Sequence, residues 1–194
     1  MAWTIGSPSR ANDFNKVRPV FATMAITQRD ANDGSPFTIL VEAHPSGNDT
    51  LNPPSSPVTA GPGPFGGYYK MTAFIAEGSS EEVTVTDNAE FLIPDNITDA
   101  IFIIPVGWSS FRHSLNNSTV SFVIGIERAG QITFSQRPTG VRQPNGAAMA
   151  TISGGGQIPV QAGDKISAWV ATDNNGTLTA GNANFTIHML NDRT

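Results

Sequence analysis

The sequence predicts an all-β protein built from two antiparallel sheets packed face to face. Its 194 residues include nineteen glycines and fourteen prolines, a composition typical of many short strands joined by tight turns. No stretch of ten residues has the spacing of apolar residues that an amphipathic helix requires. The segment Thr119–Arg128 instead alternates, with Val120, Phe122, Ile124 and Ile126 on one face, which is the period-2 pattern of a half-buried strand.

The first half of the chain divides into short apolar segments separated by turn residues. Val17–Thr27 is a predicted strand, with Pro19 near its start, where a missing N–H group is tolerated. Turn residues at Asp30–Pro36 separate it from Phe37–Ala43, the second predicted strand. The next predicted strands are Tyr68–Glu77, Glu82–Thr86, Glu90–Ile93 and Ala100–Val106.

The second half of the chain continues the pattern. Thr119–Arg128 is followed by a short partner strand, Gln131–Phe134, and then by a loop rich in Gly and Pro at Arg137–Met149. The segment Ile152–Val170 contains two predicted strands joined at Ala162-Gly163-Asp164. After a polar turn at Asp173–Thr177, Asn184–Leu190 is predicted to be the last strand.

Two segments do not fit the strand pattern. Residues 1–16 are polar and have no periodicity, and their two isolated aromatic residues, Trp3 and Phe14, are predicted to anchor an extended arm on a partner protein or on the domain itself. Residues 17–194 then form the predicted single domain. Residues 44–66 form a long loop with six prolines, whose members Pro53, Pro54 and Pro57 are predicted to lie on the surface and to reach a neighbour.

The most informative pattern is V-x-x-G-D-x-I-x-x-x-V at Val160–Val170. Gly163 supplies the backbone freedom of a tight turn, and the Asp164 carboxylate can accept hydrogen bonds from the amides of that turn. Together with the strand Gly67–Phe74 and the hairpin Ser121–Phe134, this pattern resembles the C1q/TNF-like jelly-roll family, including its bacterial spore-surface and phage versions.

The resemblance implies a non-enzymatic, trimeric jelly roll that binds or decorates a surface. The chain has no collagen-like tract and no heptad stalk, so we expect the trimer to form through the globular faces alone. The segment Ala100–Ile104 is apolar without alternation, which predicts burial on both faces. We therefore expect Ile101, Ile103 and His188 to contribute to the trimer interface.

Composition and spacing argue against most other kinds of site. The absence of cysteine excludes disulfides, cysteine-bound zinc and thiol catalysis, and a net charge of -5 argues against a nucleic-acid partner. The three histidines have no metal-ligating spacing, and no cofactor is predicted. Asp87-Asn88 and Asp173–Gly176 offer oxygen atoms that calcium prefers, although turns use the same residues to bond their own backbone.

These observations lead to an expected function in a phage virion. We expect a trimeric capsid decoration or cement protein, made in the bacterial cytoplasm without a signal peptide, whose partner is the major capsid protein or another virion surface. No apolar run reaches the ~20 residues that span a membrane, so no membrane partner is expected. The alternative is a receptor- or carbohydrate-binding knob of a phage fibre or spore surface, in which Tyr68, Tyr69, Trp108 and Trp169 would stack on sugars.

Overall fold

Fifteen β-strands make up all the regular structure in the part of the chain that the computed structural model describes. The described residues are 17–26, 37–45, 51–60, 64–72, 74–79, 83–86, 89–95, 101–135, 139–142, 150–155 and 158–192. The strands are β1 Val17–Ile26, β2 Phe37–Val41, β3 Val58–Thr59, β4 Tyr69–Lys70, β5 Ile75–Ser79, β6 Thr84–Thr86, β7 Glu90–Leu92, β8 Ile101–His113, β9 Thr119–Arg128, β10 Gln131–Phe134, β11 Thr139–Arg142, β12 Ala150–Gly155, β13 Ile158–Val160, β14 Lys165–Thr172 and β15 Gly176–Asp192. Within these ranges, no helix is long and apolar enough to cross a membrane.

The strands form two sheets in which all pairings between named strands are antiparallel. The first, sheet A, has the order β12-β8-β15-β1-β5, and β13 and β2 pair with β8 and β15 respectively. The second, sheet B, has the order β3-β10-β9-β14-β7-β6, with β11 beside β9 and β4 beside β14. Sheet A is built around the long strands β8 and β15, and sheet B around the pair β9 and β14.

The main core lies between the inner faces of the two sheets. Alternate residues of β9 point inward, namely Phe122, Ile124 and Ile126, and Ile166, Ala168 and Val170 of β14 do the same. The Phe185 ring of β15 lies at the centre, with ring centroids 5.3 Å from Phe91 and 6.3 Å from Phe122. Each fully buried side chain of this size contributes roughly 1.5–3 kcal/mol, so the alternation of β9 and β14 accounts for the packing of the sheets.

The predicted strands are found, but several of their boundaries differ, and the first of the two strands predicted within Ile152–Val170 is divided into β12 and β13. Tyr68–Glu77 is interrupted and forms β4 and β5, whereas β8 and β15 run well beyond the predicted Ala100–Val106 and Asn184–Leu190. Two of the segments predicted to be loops contain strands. Val58–Thr59 pairs with β10, and Thr139–Arg142 pairs with β9. Strand formation here depends on a partner that is distant in sequence, so local composition does not reveal it.

The turn between β13 and β14 confirms the prediction made for Gly163 and Asp164. Gly163 has a φ angle of +79°, in the left-handed region that favours glycine. Asp164 is buried, and its carboxylate accepts a hydrogen bond from the Gln161 amide at 2.8 Å. The Arg128 guanidinium also donates two hydrogen bonds to this carboxylate, at 2.6 and 2.8 Å, which joins the turn to the end of β9.

We predict that Gly163→Val lowers the free energy of unfolding by about 1–3 kcal/mol, because a β-branched residue is strained at positive φ. No atom lies within 4 Å of a Cβ built at this position, so the loss would come from backbone conformation and not from a clash. Chemical denaturation measures the change. The matched control is Gly140→Val in β11, where the nearest atoms are 3.8 Å or more away and a strand residue is expected to be tolerated. Equal stability of both variants and the parent would contradict the prediction.

Candidate interaction surfaces

The outer face of sheet B is covered by the protein's own chain. Val123 of β9 and Trp169 and Ala171 of β14 lie on the face opposite to the main core, yet each is buried. The residues that cover them come from the segment between β2 and β4, and we call its described part, residues 51–60 and 64–68, the strap. The second apolar cluster formed in this way contains Leu51, Tyr68, Val123, Ile132, Phe134, Trp169 and Ala171, with Val58, Ala60 and Phe65 packed against it.

Trp169 is the largest side chain of this second cluster. Its ring centroid lies 5.7 Å from that of Phe65 in the strap and 5.2 Å from that of Phe134, which it meets edge to face. The indole N–H donates to Ser167 Oγ at 2.8 Å, so its polar atom is satisfied although it is buried. A Cβ atom at Gly125 would lie 2.4 Å from the indole nitrogen, so the indole needs the bare backbone of β9 beneath it.

Tyr68 fastens the strap to sheet B. Its side chain is fully buried, its hydroxyl donates to the Leu51 carbonyl, and Ser121 Oγ of β9 lies 3.0 Å from the same hydroxyl. Burial raises the pKa of the Tyr68 hydroxyl to about 12, so the group stays a neutral donor at physiological pH. The chain is also bonded to β14 on either side of the strap. The His44 amide donates to the Thr172 carbonyl before it, and the Met71 amide donates to the Ala168 carbonyl after it.

Charged pairs lie on sheet B next to this cluster. Lys70 forms an ion pair with Glu90, which is almost fully buried, and Lys165 bonds Glu127 at 3.0 Å. The hydrogen bond to Glu127 raises the pKa of the Lys165 ammonium. Each of these cations is matched to an anion, so the pairs do not leave a single-sign surface that would bind a charged ligand.

The outer face of sheet A has a different character. On this face the Cα register places Thr186 between Thr23 and Val106, and His188 between Phe21 and Ile104. Thr186 is half-buried. Several other residues of the same face are exposed, namely Thr38, Leu40, Arg112 and Pro159, and Leu40 is 79% exposed.

The register separates the predicted trimer-contact residues into two rows. Ile101 pairs with Val160, which is fully buried, and Ile103 pairs with Ile158, which packs against the main core. Because alternate residues of a strand share a face, these two positions belong to the row of the main core. His188, in β15, belongs to the opposite row. The sequence pattern could not assign Ile101 and Ile103 to a row, because the start of β8 is apolar at consecutive positions.

The other predicted site residues lie in varied environments. In the strap, Pro53 is buried, Pro54 is half-buried and Pro57 is exposed. Trp3 and Phe14 lie outside the described residues. Of the aromatic residues considered for sugar stacking, Tyr68 and Trp169 are 0% and 2% exposed and Tyr69 is half-buried, so the first two are closed to a ligand by the strap.

A buried polar cluster, which the sequence pattern did not reveal, joins the two sheets at one end of the sandwich. The sequence places His113 in a polar turn, but it ends β8 and is fully buried. Its ring bonds Ser118, the Leu115 amide and the Asn174 carbonyl. Although the Ser118–His113 contact resembles the start of a catalytic triad, both side chains are 0% exposed, so the hydroxyl is closed to a substrate.

The Asp173 carboxylate, considered for calcium, bonds groups of the protein itself. Its Oδ1 atom accepts from the Thr119 amide at 2.7 Å and from the Asn174 side chain at 2.9 Å. Among the described residues, no three His, Asp or Glu side chains are grouped so that they could hold a metal ion. Asp87 and Asn88, the other turn considered for calcium, lie outside those residues.

We predict that Gly125→Ala destabilises the protein by about 1–3 kcal/mol, because the added methyl group would overlap the Trp169 indole and force it from its site. Thermal or chemical unfolding followed by tryptophan fluorescence measures both the stability and the environment of the indole. Gly140→Ala is the matched control, since a Cβ there has no contact closer than 3.8 Å. If Gly125→Ala were as stable as the parent protein, the close packing of Trp169 on β9 would be wrong.

No protein-family model and no curated protein sequence matches the chain. Solved structures do match its fold. Murine APRIL is 8% identical, with a TM-score of 0.50 over 88% of this chain and 98% of that one. The Eiger TNF of S. frugiperda is 10% identical, with a TM-score of 0.51 over 90% of this chain and 93% of that one.

The globular domain of zebrafish complement 1qA protein also matches. It is 10% identical, with a TM-score of 0.48, and the match covers 91% of this chain and all of that one. The two antiparallel sheets, their inner core and the similarity to APRIL and Eiger TNF lead to one conclusion. The chain has the C1q/TNF-like jelly-roll fold.

Proposed function

We propose that the protein is a structural protein of a phage virion, a homotrimeric decoration or cement protein that binds and stabilises a capsid surface. The observation that carries the proposal is the asymmetry between the two outer faces. Around Trp169 the outer face of sheet B is buried under the strap, whereas the outer face of sheet A has exposed residues at its margins and a half-buried Thr186 between them. Sheet A is therefore the face available for association with further copies of the chain.

The residue types in the outer row of sheet A support this role. Phe21, Ile104 and Val106 occupy neighbouring register positions around Thr186, and His188 lies between the first two. Apolar residues on a strand row away from the main core are typical of a surface that a partner covers. The proposal keeps His188 in the trimer contact and assigns the apolar part of that contact to Ile104 and Val106 in place of Ile101 and Ile103.

The virion role rests on the resemblance of the turn and strand motifs to the family that includes phage members, together with the arm. Residues 1–16 carry Trp3 and Phe14 in a polar segment, a pattern that fits docking on a major capsid protein or another virion surface. The alternative role, a carbohydrate-binding knob, receives less support. Trp169, one of its candidate stacking residues, is buried beneath the strap, and Tyr68 is buried as part of the strap itself.

We predict that the purified protein is a trimer and that Thr186→Arg converts it to a monomer. Three copies of a guanidinium would lie at the proposed interface without a partner, and an unpaired buried charge costs several kcal/mol. Light scattering at micromolar concentration would change from three times the 20.5 kDa chain mass to that mass alone. Thr133→Arg, at an exposed position of β10 on sheet B, is the control and should stay trimeric. A monomeric parent protein, or a trimeric Thr186→Arg variant, would contradict the proposed face.

We predict that deleting residues 1–16 leaves a folded trimer but weakens its attachment to the capsid at least about tenfold, since the loss of one aromatic anchor is worth ~2 kcal/mol. Binding to purified particles that lack the protein measures the effect. In the full chain, Trp3→Ala with Phe14→Ala should weaken binding to a similar extent, and Ser7→Ala with Ser9→Ala is the matched control. Undiminished binding of the truncated trimer would show that the arm makes no contact with the capsid.

A further inference from the structure

Two connections between the sheets lie side by side at one end of the sandwich. Residues 114–118 lead from β8 in sheet A to β9 in sheet B, and residues 173–175 lead from β14 in sheet B to β15 in sheet A. Backbone bonds join the two connections, from Ser114 N–H to Thr177 O at 2.9 Å and from Asp173 N–H to Thr119 O at 3.2 Å. We call residues 113–119 and 172–177 the junction.

His113 lies inside the junction and bonds both connections at once. Its Nδ1 atom is 3.0 Å from the Leu115 amide nitrogen and 2.9 Å from Ser118 Oγ, and its Nε2 atom is 3.2 Å from the Asn174 carbonyl oxygen. A backbone N–H can only donate, so Nδ1 must carry a lone pair. A carbonyl can only accept, so Nε2 must carry the proton. This geometry therefore selects the neutral imidazole with its proton on Nε2.

The remaining bonds of the junction leave little room for another arrangement. Asn174 donates from its side chain to Ser118 Oγ at 3.3 Å, and the Ser118 hydroxyl lies 3.1 Å from the Leu115 carbonyl. A Cβ atom at Gly176 would lie 2.5 Å from Ser114 Oγ and 2.8 Å from the His113 ring. The two connections thus pack against opposite sides of the imidazole.

A proton on Nδ1 would change the bonding of one connection selectively. The Leu115 amide would lose its acceptor, because two N–H groups would then face each other, whereas the bond from Nε2 to Asn174 would remain. Burial lowers the pKa of His113, while the backbone contacts with Asn174 and Leu115 and the charge of Asp173 act in the opposite direction. Burial has the largest effect on the pKa. His113 therefore binds a proton less tightly in the closed junction than in an open one, in which the ring would be exposed to water.

Among the described residues, the charged or titratable groups at this end of the sandwich include Asp173, Arg112, Glu42 and His44. Asp173 faces the His113 ring from the connection between β14 and β15, and its carboxylate is held by Thr119 and Asn174. Arg112 precedes it on β8 and is exposed. The residues that follow β2 lie at the same end of the sandwich. The Ala43 amide donates to Asn175 Oδ1 and the His44 amide donates to the Thr172 carbonyl, which brings Glu42 and His44 to this end.

We propose that His113 acts as an acid-sensitive latch, which holds the two connections together when it is neutral and releases the turn 114–117 when it is protonated. The direction of the pH effect on opening follows from the lowered pKa of His113. An open junction, in which the histidine has its ordinary pKa of about 6.5, binds the proton more tightly, so opening is favoured as the pH falls below that value. The segment that is released includes Leu115, whose side chain is already 49% exposed.

Amide hydrogen exchange on the full chain, followed by NMR, tests the proposal. Protection of the Leu115 and Ser114 amides, corrected for the intrinsic pH dependence of exchange, should fall by about tenfold between about pH 7.5 and about pH 5. Protection of the Ile124 and Ile166 amides in the centre of sheet B should not fall in parallel. Unchanged protection of Leu115 over this range would overturn the proposal.

Two variants separate His113 from the other groups that titrate. His113→Asn keeps an acceptor near the Nδ1 position without a titrating ring, so the pH dependence of Leu115 protection should disappear. His44→Asn removes a second buried histidine and should leave that dependence intact. Persistence of the dependence in His113→Asn would overturn the proposal. If that variant does not fold, the ring nitrogen shifts of His113 in the parent protein decide the question, because a proton on Nδ1 at neutral pH would contradict the latch.

Discussion

The structure depends on the pairing of β9 and β14, two strands whose central residues are buried on both faces of sheet B. Inward residues of these strands form the main core with sheet A, and their outward residues Val123, Trp169 and Ala171 are as fully buried as the inward ones. A strand pair with two apolar faces must be packed against other parts of the protein on both sides, because an apolar side chain left in water does not contribute the free energy of burial to stability. The second sheet supplies one cover and the strap supplies the other.

This requirement explains why the strap is attached so firmly. It crosses the outer face of sheet B between two bonds to β14, adds the short strand β3 to the sheet edge, and places the Tyr68 hydroxyl between Leu51 and Ser121. A buried hydroxyl with two partners fixes the position of the segment more closely than apolar contact alone, since apolar contact has no direction. What was predicted to be a loop reaching outward is, in its described part, a structural layer of the domain itself.

The fold is similar to those of APRIL and Eiger TNF although only 8% and 10% of the residues are identical. This similarity of fold without similarity of sequence has a physical basis. A two-sheet sandwich needs alternating strands, turns with the right backbone freedom and enough apolar volume, and many sequences meet these conditions. The same tolerance means that the fold does not determine the partner. In this chain the distinguishing features are local: the covered face of sheet B, the outer row of sheet A and the polar junction at the end of the sandwich.

The buried polar junction illustrates a second constraint on the sandwich. Both connections pass from one sheet to the other next to the buried polar residues His113, Ser118 and Thr172, whose polar groups must find partners within the protein. The side chains of His113, Ser118 and Thr172 find those partners in the backbone groups of Leu115 and Asn174, and the Asp173 carboxylate accepts from the Thr119 amide. The proposed sensitivity of this end to acid depends on the imidazole of His113, because an amide or a hydroxyl in the same place would not titrate.

The fold class, the order of most strands and the turn at Gly163-Asp164 could all be predicted from the amino-acid sequence. These features depend on local properties, namely the alternation of apolar residues and the backbone freedom of glycine, which can be read over a few residues. Thr119–Arg128 is a strand with the predicted bounds, and Gly163 has the positive φ angle expected of it.

The tertiary structure alone decided which segment covers which face. Nothing in the strap sequence indicates that Leu51 and Tyr68 pack on Trp169, and the pairing that makes Val58–Thr59 and Thr139–Arg142 into strands joins residues far apart in the chain. The strand β8 begins with a run that is apolar on both faces, so its pattern is the same for either orientation, and only the register with Val160 places Ile101 in the inner row. His113 gave no signal either, because a polar residue before a turn is commonly exposed, and its burial results from contacts with a connection about sixty residues away. Long-range contacts of this kind depend on the assembled sheets, and the local sequence does not encode them separately.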